Sequence, residues 1–464
     1  MFDTQPDIIS ELGYPSEVHF ITTEDGYILQ LHRIPHGKHD SPDDGRVRTP
    51  IFLQHGLLCS SSDWVITGEE KGLAFLLADQ GYDVWMGNIR GNTYSKGHTN
   101  PNISNKDYWS FSFDEHGKYD IPAMINHVKE STGQEKMFYV AHSMGTMMFW
   151  VANHYYGQEF ANNFIAMFGL GPVSQLQNMV SPLRYIAPFA DEIAKLLDVL
   201  HFYEFLPHEV WMDFFGKHAC ELVVEKEKIE VCQDMIFLIV GYDPGNINEW
   251  IMNMFGLNEF LPNNEFMTWL AGFACEPGDW LQAFCSNVIF LICGYNKPQL
   301  DEDLIPHIVG HTPAGTSTKN VLHFAQGVKR PGFHMFDYGT ASNQEIYGQE
   351  EPPEYDLSKT TVPVFLYYGE NDWLTVPRDV LWLSKRLPNL KGLDRIPFKK
   401  FNHLDFLWAE DDVEWLKTQL PNVVASFLAD LPSFNHLDFL WAIDVVTLTY
   451  NDIFPYVNAL NPNQ

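Results

Sequence analysis

Along the first third of the chain, short uninterrupted apolar runs end in small or polar residues: IFLQHG from Ile51, DVWMGN from Asp83, MFYVAHS from Met137 and FIAMFGL from Phe164. A strand covered on both faces has no polar side to display, so these runs predict buried parallel strands. Between them lie stretches of helical character, GLAFLLADQG from Gly72 and YDIPAMINHVKES from Tyr119. Strand and helix alternating in this way predict a mostly parallel, doubly wound central sheet with helices on both faces. The pattern breaks from about residue 175 to 345, where aromatic residues, methionine and helix-like stretches dominate, and restarts at VPVFLYYGEND from Val362, with a helix from Asp379 and a strand around Leu393 to Phe398. The expected organisation is a core in two parts, 1–174 and 346–464, with a mainly helical cap inserted at 175–345.

Two internal repeats cut across this plan. In the cap, EFLP followed by an aromatic segment and IFLIVGYD (about 204–243) is echoed by EFLP to IFLICGYN (about 259–296). In the second part of the core, about 378–410 is echoed by about 411–443 at a constant offset that pairs Asp379, Trp382 and Pro388 with Asp412, Trp415 and Pro421, and ends on FNHLDFLWA at both 401–409 and 434–442. Two copies cannot build a solenoid, which needs at least three units, so each pair reads as a local duplication.

At 464 residues the chain can carry one large domain with an insertion. Its 45% hydrophobic content marks it as globular. A net charge of −31, without any Lys/Arg-rich stretch, argues against nucleic-acid partners and against anionic membrane surfaces. No run of about 18 apolar residues predicts a membrane span, and MFDTQPDIIS has neither the basic nor the apolar region of a secretion signal. Cys220 with Cys232, and Cys275 with Cys285, are close enough in sequence to close small disulfide loops, leaving Cys59 and Cys293 free; six buried thiols in a reducing compartment is the alternative. The sequon at Asn102 is a glycosylation candidate and favours the secreted reading.

The chemistry concentrates at AHSMG, residues 141–145, between the strand MFYV and the helix-compatible TMMFWVANHYY. That placement is the mark of a nucleophile elbow on an α/β-hydrolase fold, a sharp turn that needs small residues two before and two after the serine, here Ala141 and Gly145. A serine hydroxyl becomes a useful nucleophile only where a base reaches it and backbone N–H groups receive the oxyanion. Ser143 is the candidate nucleophile, with the N–H groups of Met144 and of Leu57, in the turn QHGLL after an earlier strand, as oxyanion donors. His55 and His142 are assigned structural roles. In this fold the carboxylate follows a late strand and the histidine comes after it. Asp372 is the better-placed carboxylate and Glu370 the alternative. The base is His403 or His436; His403 lies one helix and one strand beyond Asp372, the shorter connection. No metal or organic cofactor is required.

With these residues placed, the chain resembles the acid lipase family, which includes gastric lipase, lysosomal acid lipase and their insect relatives. The resemblance runs over nearly the whole length and rests on TEDGYILQLHRIPHG (23–37), LQHGLLCSSSDWV (53–65), DVWMGNIRGNTYSKGH (83–98), SFDEHGKYDIPA (112–123), CSNVIFLICG (285–294) and NHLDFLWA in both copies. It implies Ser143, Asp372 and His403 or His436 as the triad, Leu57 and Met144 as oxyanion donors, a Cys275–Cys285 disulfide and a free Cys293. It further implies a secreted or lysosomal monomer hydrolysing triacylglycerol or cholesteryl esters at an oil–water or lipid surface, with an N-terminus that is incomplete here. The chain departs from the family pattern at Ala141, where the family usually has glycine, in lacking a signal peptide, and in its duplications. A soluble carboxylesterase and a catalytically impaired lipid-binding relative are the alternative readings.

Overall fold

A computed structural model describes residues 4–41, 45–69, 72–181, 184, 187, 204–205, 311–369 and 372–395. His403, His436, Glu370, both candidate cysteine pairs, Cys293 and both copies of the second repeat's FNHLDFLWA lie outside the described residues.

The elements in chain order are α1 (Gln5–Glu11), β1 (Glu17–Thr22), β2 (Tyr27–Ile34), β3 (Pro50–Gln54), α2 (Leu73–Asp79), β4 (Asp83–Gly87), β5 (Gly97–His98), α3 (Asn105–Tyr108) and α4 (Phe113–Glu115). A π-helical turn (His116–Asp120) leads into α5 (Ile121–Thr132), followed by β6 (Met137–His142), α6 (Met144–Tyr156), α7 (Gln158–Ala161), β7 (Phe164–Leu170) and β8 (Glu204–Phe205). Then come β9 (Thr316–Ser317), α8 (Thr318–Lys329), α9 (Thr340–Tyr347), β10 (Val364–Tyr368), α10 (Pro377–Ser384) and β11 (Leu390–Arg395).

The main sheet runs β1-β2-β4-β3-β6-β7-β10-β11, with β5 added to β2. From β4 to β11 every pairing is parallel, whereas β1, β2 and β5 join antiparallel. This strand order, with helices packed against it, is the α/β-hydrolase fold. All five apolar runs expected to be strands are strands, and β3, β4, β6 and β10 are buried at every position. Side chains from adjacent parallel strands meet in register: Phe168 of β7 stands opposite Phe365 of β10, and the rings stack at 5.1 Å. The late strand begins three residues earlier than the sequence suggests, at Leu390. Of the cap interval, Glu204–Phe205 pairs antiparallel with Thr316–Ser317 as a separate two-stranded ribbon. No helix among the described residues is long and apolar enough to cross a membrane.

One charged side chain sits deep in this core. Arg90, 1% exposed, bonds Asp25 through both terminal nitrogens (2.5 and 2.9 Å) and Asp120 through Nε (2.8 Å), and its guanidinium lies 3.9 Å from the Tyr27 ring centre. Burial lifts the Asp120 carboxyl to about 6 against the pull of the guanidinium. Removing the guanidinium leaves the fully buried Asp120 without its charged partner, so Arg90→Ala is expected to cost about 3–5 kcal/mol of stability, read as a lower urea midpoint at unchanged slope.

Candidate active site

β6 ends at His142 and α6 begins at Met144, so Ser143 alone must turn the chain. It does so at φ 53°, ψ −122°, one of two non-glycine residues with positive φ among those described. A side chain held there costs about 1–3 kcal/mol. The surroundings enforce it: the Ser143 N–H donates to the Leu170 carbonyl of β7 (3.0 Å), and its carbonyl accepts from the N–H (2.9 Å) and hydroxyl (2.7 Å) of Thr146. The hydroxyl-bearing carbon is thereby raised at the carboxyl edge of the sheet, half-buried while both neighbours are fully buried.

The small residues at the elbow have separate reasons. A Cβ on Gly145 would stand 2.6 Å from the Gln54 carbonyl oxygen and 2.9 Å from that of His55, so only glycine lets the first turn of α6 rest on the end of β3. Ala141 is fully buried, in register between Gln54 of β3 and Gly169 of β7.

The turn after β3 lies directly against the serine. A Cβ on Gly56 would come within 3.0 Å of the Ser143 Cβ. Leu58, at φ 61°, is the second strained residue. Among the described residues, no backbone carbonyl takes the N–H of Leu57 or of Met144. His55 braces this turn: its Nδ1 donates to the Gly56 carbonyl (2.8 Å), while Nε2 accepts from Asn92 Nδ2 (3.3 Å) and lies 3.4 Å from the Ile89 nitrogen. Burial pulls its pKa down to about 4, so the ring is neutral across the ordinary pH range. Asn92 also donates to Asn88 (2.9 Å), which accepts from the Ser61 N–H (3.0 Å), tying the loop after β4 to the same turn.

Asp372 follows β10 and is 1% exposed. Its Oδ1 accepts from the N–H groups of Leu374 (2.9 Å) and Thr375 (2.5 Å), and the Thr375 hydroxyl donates to Oδ2. Three donors of this kind fix the plane of the carboxyl group. The loops after β7 and β10 are joined: the N–H groups of Val180 and Ser181 donate to the Trp373 carbonyl (3.0 and 3.1 Å). Asp379, at the start of α10, accepts from Gln175 Nε2 (2.5 Å) and the Asn178 N–H (3.1 Å). The carboxyl ends of β3, β6, β7 and β10 thus form one connected rim, where open parallel sheets carry their sites.

Two family models match the chain, a partial alpha/beta-hydrolase lipase region over residues 5–68 and the alpha/beta hydrolase fold over residues 49–192. The human lysosomal acid lipase/cholesteryl ester hydrolase is 36% identical over 402 residues, 86% of this chain and 85% of that protein. The chain belongs to the acid lipase family. Lipase 3 of Drosophila melanogaster is 38% identical over 400 residues (86% of each chain), and the gastric triacylglycerol lipase of Rattus norvegicus is 36% identical over 399 residues (86% of this chain, 85% of that protein). As a member of this family the chain is a serine-type ester hydrolase.

Sequence reasoning missed the roles of Asp379, Asn88 and Asn92, which hold the rim together from loops far apart in the chain; Asp379 stood out only as the start of a helix and a position of the second repeat. Cys59 is buried and is in no disulfide among the described residues. Asn102 lies exposed on a turn, accessible as a sequon must be.

Proposed function

We propose that the chain hydrolyses neutral lipid esters, triacylglycerols or cholesteryl esters, with Ser143 as nucleophile, Asp372 as the orienting carboxylate, His403 as base and the N–H groups of Leu57 and Met144 as oxyanion donors. The observation that carries this reading is the backbone of Ser143, held at φ 53° on the strand-to-helix junction with the Gly56 turn against it. In the first half-reaction Ser143 Oγ attacks the ester carbonyl carbon while the imidazole takes its proton. The tetrahedral oxyanion is received by the two N–H groups, and the collapse expels the alcohol, which leaves with the proton from the imidazolium. Water activated by the same imidazole then cleaves the acyl-enzyme to the fatty acid and free serine.

His403 is preferred to His436 because β11 is already in place beside β10 and ends at Arg395, eight residues before His403 and 41 before His436. His403→Ala is expected to lower kcat by about 10⁴-fold or more, in the range of losing a triad member, with His436→Ala within about threefold of wild type. Steady-state kinetics on a soluble p-nitrophenyl ester decide between them; the reverse pattern assigns the base to His436.

Residues 175–345 are read as the cap, and an acyl chain needs apolar space beneath it. A cavity of about 620 Å³ lies farther along α6, walled by Phe113, Met147, Leu176 and Phe333 and also by Lys329, Arg330, His334 and Asp337; Ser143 is not in its lining, so it is not assigned to the acyl chain. The names of the human and rat relatives, a lysosomal acid lipase/cholesteryl ester hydrolase and a gastric triacylglycerol lipase, favour these substrates and a lysosomal or secreted setting. Rates on emulsified triolein, cholesteryl oleate and dissolved p-nitrophenyl acetate test the substrate class. Activity that rises when triolein passes its solubility limit supports a lipase, and activity confined to the dissolved ester supports a soluble carboxylesterase.

A further inference from the structure

The turn that carries the Leu57 N–H is strained and needs something to hold it. Leu58, next in the chain, has φ 61°, a conformation that leucine adopts at a cost of about 1–2 kcal/mol. Its carbonyl oxygen accepts the N–H of Ala314 at 2.6 Å, from a segment some 250 residues later. The Ala314 carbonyl is itself held by the N–H (2.8 Å) and hydroxyl (3.2 Å) of Thr93 in the loop after β4.

Two residues upstream, the Thr312 hydroxyl donates to Asp63 Oδ1 at 2.9 Å. Asp63 has no exposure, and its Oδ2 accepts the Ser60 N–H at 3.0 Å, closing the short 3₁₀ helix at Ser61–Trp64 that follows the turn. The Cys59 thiol donates to the same carboxyl. The segment then passes to the other donor. Asn320, fully buried at the start of α8, directs Nδ2 at the Met144 sulfur (3.4 Å) and accepts the Phe113 N–H at 2.8 Å. Between these two points, Thr316–Ser317 pairs with Glu204–Phe205, so the segment is continuous with the ribbon of the inserted region.

We propose that residues 312–320 are a positioning clamp for the oxyanion donors, anchored by the Thr312–Asp63 hydrogen bond, so that this pair sets kcat without touching substrate. The inference rests on the reading of Leu57 and Met144 as the oxyanion donors. An N–H displaced by a fraction of an ångström still lets the ester bind but no longer meets the oxyanion at hydrogen-bond distance. Loss of a whole donor costs about 10²–10³ in kcat, and a misplaced one costs less. Thr312 and Asp63 are positioning residues in this account.

The test uses the full chain with a soluble p-nitrophenyl ester and compares wild type, Thr312→Val, Thr312→Ser and Asp63→Asn, together with Ser143→Ala. Thr312→Val is expected to lower kcat by about 10–100-fold with KM within about twofold, a fraction of the full loss of one donor. Thr312→Ser, which keeps the hydroxyl, returns kcat to within about threefold of wild type on the same scale. Asp63→Asn keeps its amide oxygen on the Ser60 N–H and turns its N–H₂ to the Thr312 hydroxyl, which must then accept; loss of the charged acceptor lowers kcat in the same direction and supplies the answer if Thr312→Val does not fold. A purely structural role would instead lower the melting temperature and leave the kcat of the folded fraction unchanged. Wild-type kcat in folded Thr312→Val and Asp63→Asn, beside an inactive Ser143→Ala, overturns the clamp and leaves the active-site reading standing. Full activity in Ser143→Ala removes that reading and the clamp with it.

Discussion

Replacing Ser143 by alanine is expected to lower kcat on a dissolved p-nitrophenyl ester by about 10⁴–10⁶-fold while KM changes little. The loss is of transition-state stabilisation: without Oγ no acyl-enzyme forms, and the oxyanion donors can assist only direct attack by water. Alanine retains the Cβ, so the strain at φ 53° and the bonds to Leu170 and Thr146 remain, and the melting temperature should move by no more than a degree or two. Uptake of emulsified lipid should be retained. A variant that keeps more than about a hundredth of wild-type kcat would place the nucleophile elsewhere.

The second large effect is at Asp372. Asp372→Asn is nearly isosteric and should fold, yet kcat is expected to drop by about 10⁴-fold. The geometry supplies the reason. Oδ1 faces two N–H groups, of Leu374 and Thr375, so an asparagine must leave its carbonyl oxygen there and turn its N–H₂ outward. A histidine placed to donate to the carboxylate then meets a donor, and its ring is held in the wrong tautomer. Thermal unfolding of the variant, together with kcat and KM, separates this from loss of fold: a stable protein with normal KM and depressed kcat is the expected combination.

The parallel half of the sheet was legible because its strands have two covered faces, which forces continuous apolar runs of five to seven residues. The antiparallel edge was not. In β1 half-buried Glu17 and His19 alternate with exposed Val18 and Phe20, so the apolar side chains lie on the outer face. In β2 the apolar rhythm is broken by His32 and Arg33, buried or half-buried because distant residues satisfy them: Ser61 bonds the His32 ring, and Asp83 takes the Arg33 fork. The elbow was legible for a different reason, since the demand for small residues around Ser143 is local and sterically absolute at Gly145. The strain at Leu58 was hidden, because nothing in leucine announces a left-handed backbone. The pair that anchors the segment beside it, Asp63 and Thr312, lies 249 residues apart in the chain. Arg90 follows the same rule: a buried cation is intelligible only with Asp25 and Asp120, which sequence spacing does not connect to it.

The duplications give the account its sharpest question, since two copies of FNHLDFLWA offer two histidines to one serine. A chain in which both copies displaced the imidazole from Ser143 would bind lipid without turning it over. Labelling of the purified chain with a serine-directed phosphonate, followed by peptide mapping, detects an activated nucleophile and locates it in one step. A single labelled peptide containing Ser143 is expected, with labelling abolished in His403→Ala and retained in His436→Ala. No label on Ser143 in the folded wild-type chain would contradict it and leave a lipid-binding relative as the reading.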